Sequence, residues 1–132
     1  QATSDLVETL FDDDGRAQHH ADRREQPLSV MQWRRVRDRI NDSIGVPVSV
    51  ADLAQICVLS RAHFSKAFHA RVGMAPATYV RLIKMRAAVE RLRYSNQSII
   101  DIALELGYSN SSKFAAAFRG VFGVTPMEWR SY

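Results

Sequence analysis

Apolar residues recur at intervals of three and four along most of the chain after residue 30, and no segment alternates apolar and polar residues. Intervals of three and four place side chains on one face of an α-helix, whereas a half-buried strand requires strict alternation. The first helical run contains Met31, Trp33, Val36, Ile40 and Ile44, with arginines between them. The pattern therefore predicts an all-α fold with about seven helices.

Residues that favour helix ends divide this pattern into separate helices. Serine, threonine and asparagine cap helix N-termini, proline suits the first turn, and glycine ends a helix. The predicted helices run from Val30 to about Ile44, Val50 to about Cys57, Ser60 to Gly73, Pro76 to about Arg93, Ile99 to Leu106, Ser109 or Asn110 to Gly123, and Pro126 to Trp129.

An internal repeat is the strongest signal in the sequence. The segment SVADLA at residues 49–54 recurs as SIIDIA at residues 98–103, a displacement of 49. After one inserted residue, the pattern FxxxFxxxxGxxPxxY that starts at Phe64 recurs from Phe114 as FxxxFxxxxGxxPxxW, a displacement of 50. Each copy is a short helix, a turn and a longer helix, which is the arrangement of a helix-turn-helix with its second helix presented outward.

The prediction is therefore two helix-turn-helix units, at about residues 49–73 and 98–123, joined by a linker helix at about residues 76–93. Charge separates this part from the start of the chain. Residues 1–30 contain three arginines and seven acidic residues, a net charge of −4, and we expect a largely disordered tail or interdomain linker there. Residues 31–132 contain 15 lysines and arginines against 7 acidic residues, a net charge of +8, which is typical of a domain that binds nucleic acid.

Other classes of function find no support in the sequence. Cys57 is the single cysteine, and we expect a core residue without an internal disulfide. The pair His19-His20 lacks a third ligand and no nucleophile–histidine arrangement is present, so we expect neither a metal or other cofactor nor an enzyme. His63 and His69 are expected on the surface. Apolar runs are short and broken by acidic residues, so we expect no membrane partner and a cytoplasmic, nucleoid-associated protein.

The second unit contains a long gapped pattern. It reads Ser98-Ile99-x-Asp101-Ile102-Ala103-x3-Gly107-Tyr108-Ser109-Asn110-x-Ser112-x-Phe114-x3-Phe118-Arg119-x3-Gly123-x-Thr125-Pro126-x2-Trp129-Arg130. This pattern resembles the AraC/XylS family of bacterial transcription regulators, and the resemblance covers about residues 31–132. It implies seven helices in two subdomains that activate, or sometimes repress, specific promoters. Each recognition helix is implied to enter a major groove, so that one chain reads two adjacent groove segments about 34 Å apart.

The recognition helix of the first unit is expected to read the DNA sequence. Its outward residues, all expected to bind DNA, are Arg61, Ala62, Ser65, Lys66 and His69. The resemblance implies that Ala62, Ser65 and Lys66 face base edges. Lys66 is the favoured guanine contact because a cationic side chain can donate to O6 and N7, and contact with a phosphate is its alternative role. Ala62 either meets a thymine methyl group or makes no contact.

The recognition helix of the second unit departs from the family pattern. Its expected DNA-binding residues are Asn110, Ser111, Ser112, Lys113, Ala116 and Arg119. Ala116 stands where many relatives carry arginine, and a methyl group cannot donate two hydrogen bonds to a base. We therefore expect the first unit to specify sequence, and the second to grip the DNA backbone through Ser112, Lys113 and Arg119.

Double-stranded DNA at a promoter or operator is thus the expected partner, together with RNA polymerase and an upstream effector-binding or dimerisation domain. Arg81 and Arg93 are candidate phosphate contacts, and about six neutralised phosphates give a log–log salt slope of about −5. One alternative is a helical module that docks on the transcription machinery without reading DNA, which the alanine-rich second recognition helix supports. The other is an alkyl-transfer enzyme, which requires a reactive Cys57.

Overall fold

The computed structural model describes residues 26–132. The helices in this part of the chain are α1 (Val30–Asp42), α2 (Val50–Ile56), α3 (Arg61–Val72), α4 (Pro76–Tyr94), α5 (Ile99–Glu105), α6 (Ser111–Phe122) and α7 (Pro126–Arg130). No strand occurs among these residues, so the all-α prediction with about seven helices is confirmed. None of these helices is long and apolar enough to cross a membrane. The pair His19-His20 and most of the predicted tail lie outside the described residues.

Side chains cap six of these seven helices. Ser49, Ser60 and Ser98 each accept a hydrogen bond at Oγ from the backbone amide three residues further on, at 3.0–3.1 Å. Asn110, rather than Ser109, caps α6 through its Oδ1 atom. These bonds satisfy amides that have no partner inside the helix, which is why the helices begin where local sequence signals predict.

The fold contains two hydrophobic cores, and α4 contributes to both. Its first half buries Tyr79 and Ile83 in one core, whereas Met85, Ala88 and Leu92 are buried in the other. We call α1, α2, α3 and the first half of α4 unit 1, and the second half of α4 with α5, α6 and α7 unit 2. Because successive turns of one helix are buried in different cores, α4 joins the units as a shared structural element.

An aromatic cluster fills the core of unit 1. Trp33, Phe68 and Tyr79 meet edge to face, with ring centroids 5.4–5.8 Å apart. This geometry is favourable for aromatic pairs beyond the burial of their surface. Burial raises the pKa of Tyr79 to about 12, although the charges of Arg37 and Arg86 oppose the shift.

The start of unit 1 differs from the predicted pattern. Met31 is 59% exposed, so its expected place on the apolar face of α1 was wrong. Leu28, which precedes the helix, is fully buried instead. Its amide donates to the carbonyl of Ala67 at 3.2 Å, and its carbonyl accepts from Arg71 Nε at 2.9 Å. The chain before α1 is therefore fixed against α3, and Leu28 belongs to the core of unit 1 although it precedes the helix.

The core of unit 2 is built around Phe114 and Phe118, which are both fully buried. Tyr108 packs against Phe114 with ring centroids 5.6 Å apart, and Phe122 lies 4.6 Å from Phe118. Trp129 is half-buried against the same cluster. The aromatic residues at the repeat and turn positions therefore pack in or against the cores of the two units.

Candidate nucleic-acid interface

The two helix-turn-helix corners have the same backbone hydrogen-bond pattern. In unit 1 the amide of Leu59 donates to the carbonyl of Ala54 at 3.0 Å. In unit 2 the amide of Tyr108 donates to the carbonyl of Ala103 at 2.9 Å. The two bonds are related by the displacement of 49 seen in the sequence. Ser109 is therefore the inserted residue, directly before the cap of α6.

Helix α3 presents a polar and basic face to solvent, while Phe64 and Phe68 hold its other side in the core. Residues three, four and seven positions apart share one face of a helix. That spacing groups the predicted residues Ala62, Ser65, Lys66 and His69, and Arg61 lies beside them in the first turn. Ser65 is half-buried and the other four are exposed. The structure thus places all five on the accessible side of α3, where His63 is exposed as well.

Helix α6 is held in the same way by Phe114 and Phe118, but its outward face is less polar. Its accessible side contains the exposed residues Ser112, Lys113, Ala116 and Arg119 and the half-buried residues Ser111 and Ala115. Asn110 also precedes this face, but its Oδ1 atom already accepts the amide of Lys113 at 2.8 Å. Its amide NH2 group is the part left for contact with a ligand.

The difference between the two faces is greatest near their centres. At a displacement of 50, Lys66 of α3 corresponds to Ala116 of α6, and Ser65 corresponds to Ala115. An ammonium group and a hydroxyl group can donate hydrogen bonds to base edges or phosphates, whereas two methyl groups can make only apolar contacts. The central part of α3 can therefore read polar groups that the same part of α6 cannot.

The cations of α6 lie towards the two ends of the helix. Lys113 is in the first turn and Arg119 is in the third. The charge of Arg119 also reaches Glu128, whose pKa is lowered first by hydrogen bonds from Thr125 and then by this arginine. Arg119 is thus placed between the outward face of α6 and the start of α7.

Arg81 and Arg93 are exposed on α4 and lie far from each other. They are 12 positions apart, which separates their backbones by about 18 Å. Burial raises the pKa of Tyr108 and the charge of Arg81 opposes this shift, so Arg81 lies near the turn of unit 2. Arg93 stacks over Trp129 and Tyr94, with its guanidinium carbon 5.1 and 5.8 Å from the ring centroids. These contacts hold Arg93 beside α7.

Sequence reasoning missed an unusual residue in the turn of unit 1. Val58 has a φ of +57°, in the left-handed region, and its side chain is 88% exposed. Its counterpart at a displacement of 49 is Gly107, with a φ of +91°. The left-handed region is unfavourable for β-branched residues and unstrained for glycine. The repeat register pairs these two positions, and it was the signal that could have revealed the conformation of Val58.

Cations beside the two turns were also missed. Lys84 Nζ lies 5.4 Å from the ring centroid of Tyr108 in unit 2. In unit 1, burial raises the pKa of Cys57 and the charge of Arg35 opposes that shift, so Arg35 lies near the equivalent turn. The helix before each helix-turn-helix thus supplies a cation at the turn.

The environment of Cys57 agrees with the predicted core role, because the residue is buried in the core of unit 1. The raised pKa disfavours the thiolate, which is the nucleophilic form that alkyl transfer needs. Among residues 26–132 no group of three or more histidine, cysteine, aspartate and glutamate side chains could hold a metal ion.

Comparison with known proteins identifies the class of protein to which the chain belongs. A family model described as a helix-turn-helix domain matches residues 53–132, which is more than half of the chain. A transcriptional regulator with an AraC-type DNA-binding domain from Chromobacterium violaceum has the same fold, with a TM-score of 0.70 at 26% identity. The aligned region covers 76% of this chain and 90% of that one. The chain belongs to the AraC/XylS family.

Two further similar proteins, one by sequence and one by fold, are informative. The transcriptional activator RhaR of Mannheimia succiniciproducens is 30% identical over 92 residues, which are 70% of this chain and 33% of that activator. The DNA-binding domain of AdpA, a global transcriptional factor solved in complex with a target DNA, has a TM-score of 0.70 at 23% identity. That match covers 80% of this chain and 91% of the AdpA chain. The similarity therefore shows that this AraC/XylS chain contains a helix-turn-helix domain of the AraC type that binds DNA.

The chain matches only part of most of its curated AraC/XylS relatives. In six of them the matched region amounts to 27–33% of their length. The similarity therefore assigns the DNA-binding function, and the activities of the remaining parts of those proteins are not carried over.

Proposed function

We propose that this AraC/XylS member binds promoter DNA with α3 and α6 in two adjacent major-groove segments, and that α3 is the dominant reader of sequence. The observation that carries the proposal is the difference between the two outward faces. Lys66 and Ser65 lie at the centre of the face of α3, where α6 has Ala116 and Ala115. Since polar groups at base edges give most sequence discrimination, the sharper specificity belongs to unit 1.

In this proposal Lys66 donates to O6 and N7 of a guanine, and Ser65 and Ala62 face neighbouring bases. Arg61 and His69, at the two ends of the same face, contact phosphates. These residues are accessible together on one side of α3, which is what simultaneous contact with one groove segment requires. The AdpA domain, whose fold the chain shares, was solved with its target DNA, which supports DNA as the ligand of this face.

Unit 2 then grips the DNA backbone more than it reads bases. Ser112, Lys113 and Arg119 donate to phosphates, and the NH2 group of Asn110 lies at the start of the same helix. Contacts to phosphates fix the position of a protein on the duplex but contain no sequence information. Residual selectivity of α6 comes from its methyl groups against thymine and from DNA shape.

Arg81 and Arg93 add phosphate contacts outside the recognition helices. Arg81 lies near the turn that precedes α6, and Arg93 is held over the ring of Trp129 near the end of α7. The guanidinium group of Arg93, held by its ring contacts, loses little conformational entropy on binding, which favours it as a phosphate contact. With about six phosphates neutralised in total, the affinity falls with salt at a log–log slope of about −5.

The test is selection of the purified chain on a randomised duplex library at near-physiological salt, followed by sequencing. One well-defined element with a weaker element a helical turn away is the expected result. Two equally sharp elements would contradict the dominance of α3. Absence of any enriched element would contradict sequence-specific reading by this chain and favour a module that docks on the transcription machinery.

The proposal extends to activation through RNA polymerase, with an upstream effector-binding or dimerisation domain in the full regulator. The similarity to the activator RhaR supports the first part, and the greater length of the relatives supports the second. Transcription in vitro from a promoter that contains the selected element, with and without the chain, tests activation. An increase in transcript is expected, and a decrease would identify a repressor.

A further inference from the structure

The two units touch each other through their backbones at a point separate from α4. Gly45 lies in the loop between α1 and α2, and a Cβ atom built on it would be 2.5 Å from the carbonyl oxygen of Glu105. A Cβ atom on Gly107 would in turn be 3.2 Å from the carbonyl oxygen of Gly45. The loop of unit 1 therefore packs directly on the turn of unit 2, with no room for a side chain.

Side chains around this contact tie it to both cores. Ile44, the residue before Gly45, packs against the buried clusters of both units. Arg91 of α4 donates to Glu105 at 2.9 Å, which fixes the end of α5. Lys84 Nζ lies 3.7 Å from the position that a Cβ atom on Gly107 would take. The contact is thus part of a packed junction.

Glycine is needed at position 45 for space and not for backbone conformation. Its φ is not among the positive values, which belong to Gly73, Gly107 and Gly123. An alanine can therefore adopt the same backbone angles. Its methyl group, however, would meet a backbone oxygen, which cannot rotate away as a flexible side chain can. To admit the methyl group, the loop of unit 1 and the turn of unit 2 must move apart.

Such a movement would reach the second recognition helix. Gly107 is followed by Tyr108, Ser109 and the cap Asn110, so the contacted turn leads directly into the N-terminus of α6. In a helix-turn-helix, this end of the recognition helix enters the major groove. A shift at the junction therefore changes the position of α6 relative to α3.

We infer that Gly45 is a positioning residue that sets the spacing between the two DNA elements that the chain prefers. Its direct contact with the turn of unit 2 holds α3 and α6 at one distance and one angle. Each added base pair moves the second element by about 3.4 Å and rotates it by about 34°, so a fixed pair of helices matches only one spacing. This inference rests on the proposed reading of two groove segments.

The test is binding of the full chain to duplexes in which the selected elements are moved apart or together by one base pair. Gly45→Ala is compared with the wild type and with Gly120→Ala. The control adds the same methyl group at the last turn of α6, where a Cβ atom would have no neighbour within 4 Å. We expect wild type and control to share one preferred spacing. Gly45→Ala should bind that duplex about ten-fold more weakly, a change of about 1.4 kcal/mol, and shift its preference to another spacing.

A second readout separates positioning from general damage. Affinity for a duplex that contains only the α3 element should change less than about two-fold in Gly45→Ala, because unit 1 itself is intact. Ile44→Ala covers the case in which Gly45→Ala does not fold. It removes a side chain that touches both cores without adding bulk, and we expect a broadened preference over neighbouring spacings.

Two results would overturn the inference, and they differ in meaning. Folded variants of Gly45 or Ile44 with the wild-type spacing profile would show that α4 alone sets the geometry. A wild type without any spacing preference would overturn both this inference and the reading of two groove segments. Thermal unfolding of each variant establishes that the protein compared is folded.

Discussion

Unit 1 and unit 2 have the same order of helices and the same backbone hydrogen bonds at their turns, yet their surfaces have diverged. The buried pair Phe64 and Phe68 recurs without change as Phe114 and Phe118. The exposed Lys66, by contrast, corresponds to Ala116. Close packing penalises any change of volume in a core, whereas an exposed position is constrained only by its partner. The difference teaches that the repeat preserves a scaffold, and that its two recognition faces are free to take different roles.

The turns provide a second contrast between the units. Gly107 in unit 2 packs against Gly45, so both its backbone conformation and the available space require glycine. The equivalent residue in unit 1, Val58, has the same left-handed conformation but its side chain is in solvent. A non-glycine residue in this region is strained by about 1–2 kcal/mol. Unit 2 therefore has glycine where the units meet, and unit 1 tolerates a strained valine where its side chain lies in solvent.

The largest expected effect is on the free energy of unfolding, and its measurement tests whether the two units unfold together. Phe68→Ala and Phe118→Ala each remove a fully buried ring and should lower the free energy of unfolding by about 3–5 kcal/mol. Because α4 buries residues in both cores, each variant should still unfold in a single transition. Denaturant unfolding followed by circular dichroism, with hydrogen exchange in α2 and α5, measures this. Two separate transitions would show that the units are thermodynamically independent.

The next effect tests the contrast between the recognition faces. Lys66→Ala should weaken binding to the selected element by about 1–3 kcal/mol and relax the base preference at one position. Ala116→Arg should strengthen and sharpen the second element, because arginine can donate two hydrogen bonds to guanine. Repeated selection with each variant measures both changes.

Lys113, a proposed contact with the DNA backbone, provides the control for Lys66→Ala and Ala116→Arg. Lys113→Ala should weaken binding to all sequences alike and reduce the salt slope by about 1. Were Lys66→Ala to behave in the same way, Lys66 would be a phosphate contact, and α3 would owe its specificity to Ser65 and Ala62.

Much of the fold could be predicted because its signals are local. Caps such as Ser49 and Ser60 act within three residues, and the helical pattern of apolar residues needs no knowledge of the partner helix. Even so, the pattern assigned Met31 to the core in place of Leu28. Leu28 lies outside any helix and is buried through hydrogen bonds to α3, which no periodicity can reveal.

The predicted outward residues of α3 and α6 are accessible in the structure, because the buried phenylalanines fix which side of each helix faces solvent. The junction between the units could not be predicted in this way. Gly45 and Glu105 are 60 residues apart, and their contact depends on how the two units pack on α4. Sequence patterns report the faces of single helices, whereas the distance between two backbones is a tertiary property.

Substitutions at Val58 and Gly107, the equivalent residues of the two turns, should have smaller effects on the free energy of unfolding. Val58→Gly should raise the free energy of unfolding by about 0.5–1 kcal/mol, because relief of the left-handed strain outweighs the added flexibility of the unfolded chain. Gly107→Val should lower it by about 2 kcal/mol, since its side chain is both strained and close to the carbonyl of Gly45. Chemical denaturation measures both. Equal and opposite effects of the two changes would indicate that strain alone, without the junction, distinguishes the turns.

The smallest effect concerns the caps that follow the two recognition helices. Thr125 caps α7 through a hydrogen bond from the amide of Glu128 at 3.1 Å, whereas its counterpart Ala75, the residue before α4, provides no side-chain cap. Thr125→Ala should destabilise the fold by about 1 kcal/mol, and Ala75→Thr should stabilise it by about 0.5–1 kcal/mol. The backbone of Ala75 is already extended, as a cap requires, so the new hydroxyl group can be used without rearrangement.

The effect of Thr125→Ala should also depend on pH, and that of Ala75→Thr should not. Hydrogen bonds from Thr125 lower the pKa of Glu128, so the charged carboxylate contributes stability above the usual glutamate range. This contribution is lost as the pH falls through the lowered pKa. Thr125→Ala keeps the hydrogen bond from the backbone amide, which is the larger cause, and loses only the side-chain bond. This variant should therefore differ most from the wild type near neutral pH and least in acid, as measured by denaturation between pH 7 and pH 3. The residue three positions after Ala75 is Thr78, which does not titrate, so a pH-dependent gain in Ala75→Thr would contradict this account of the caps.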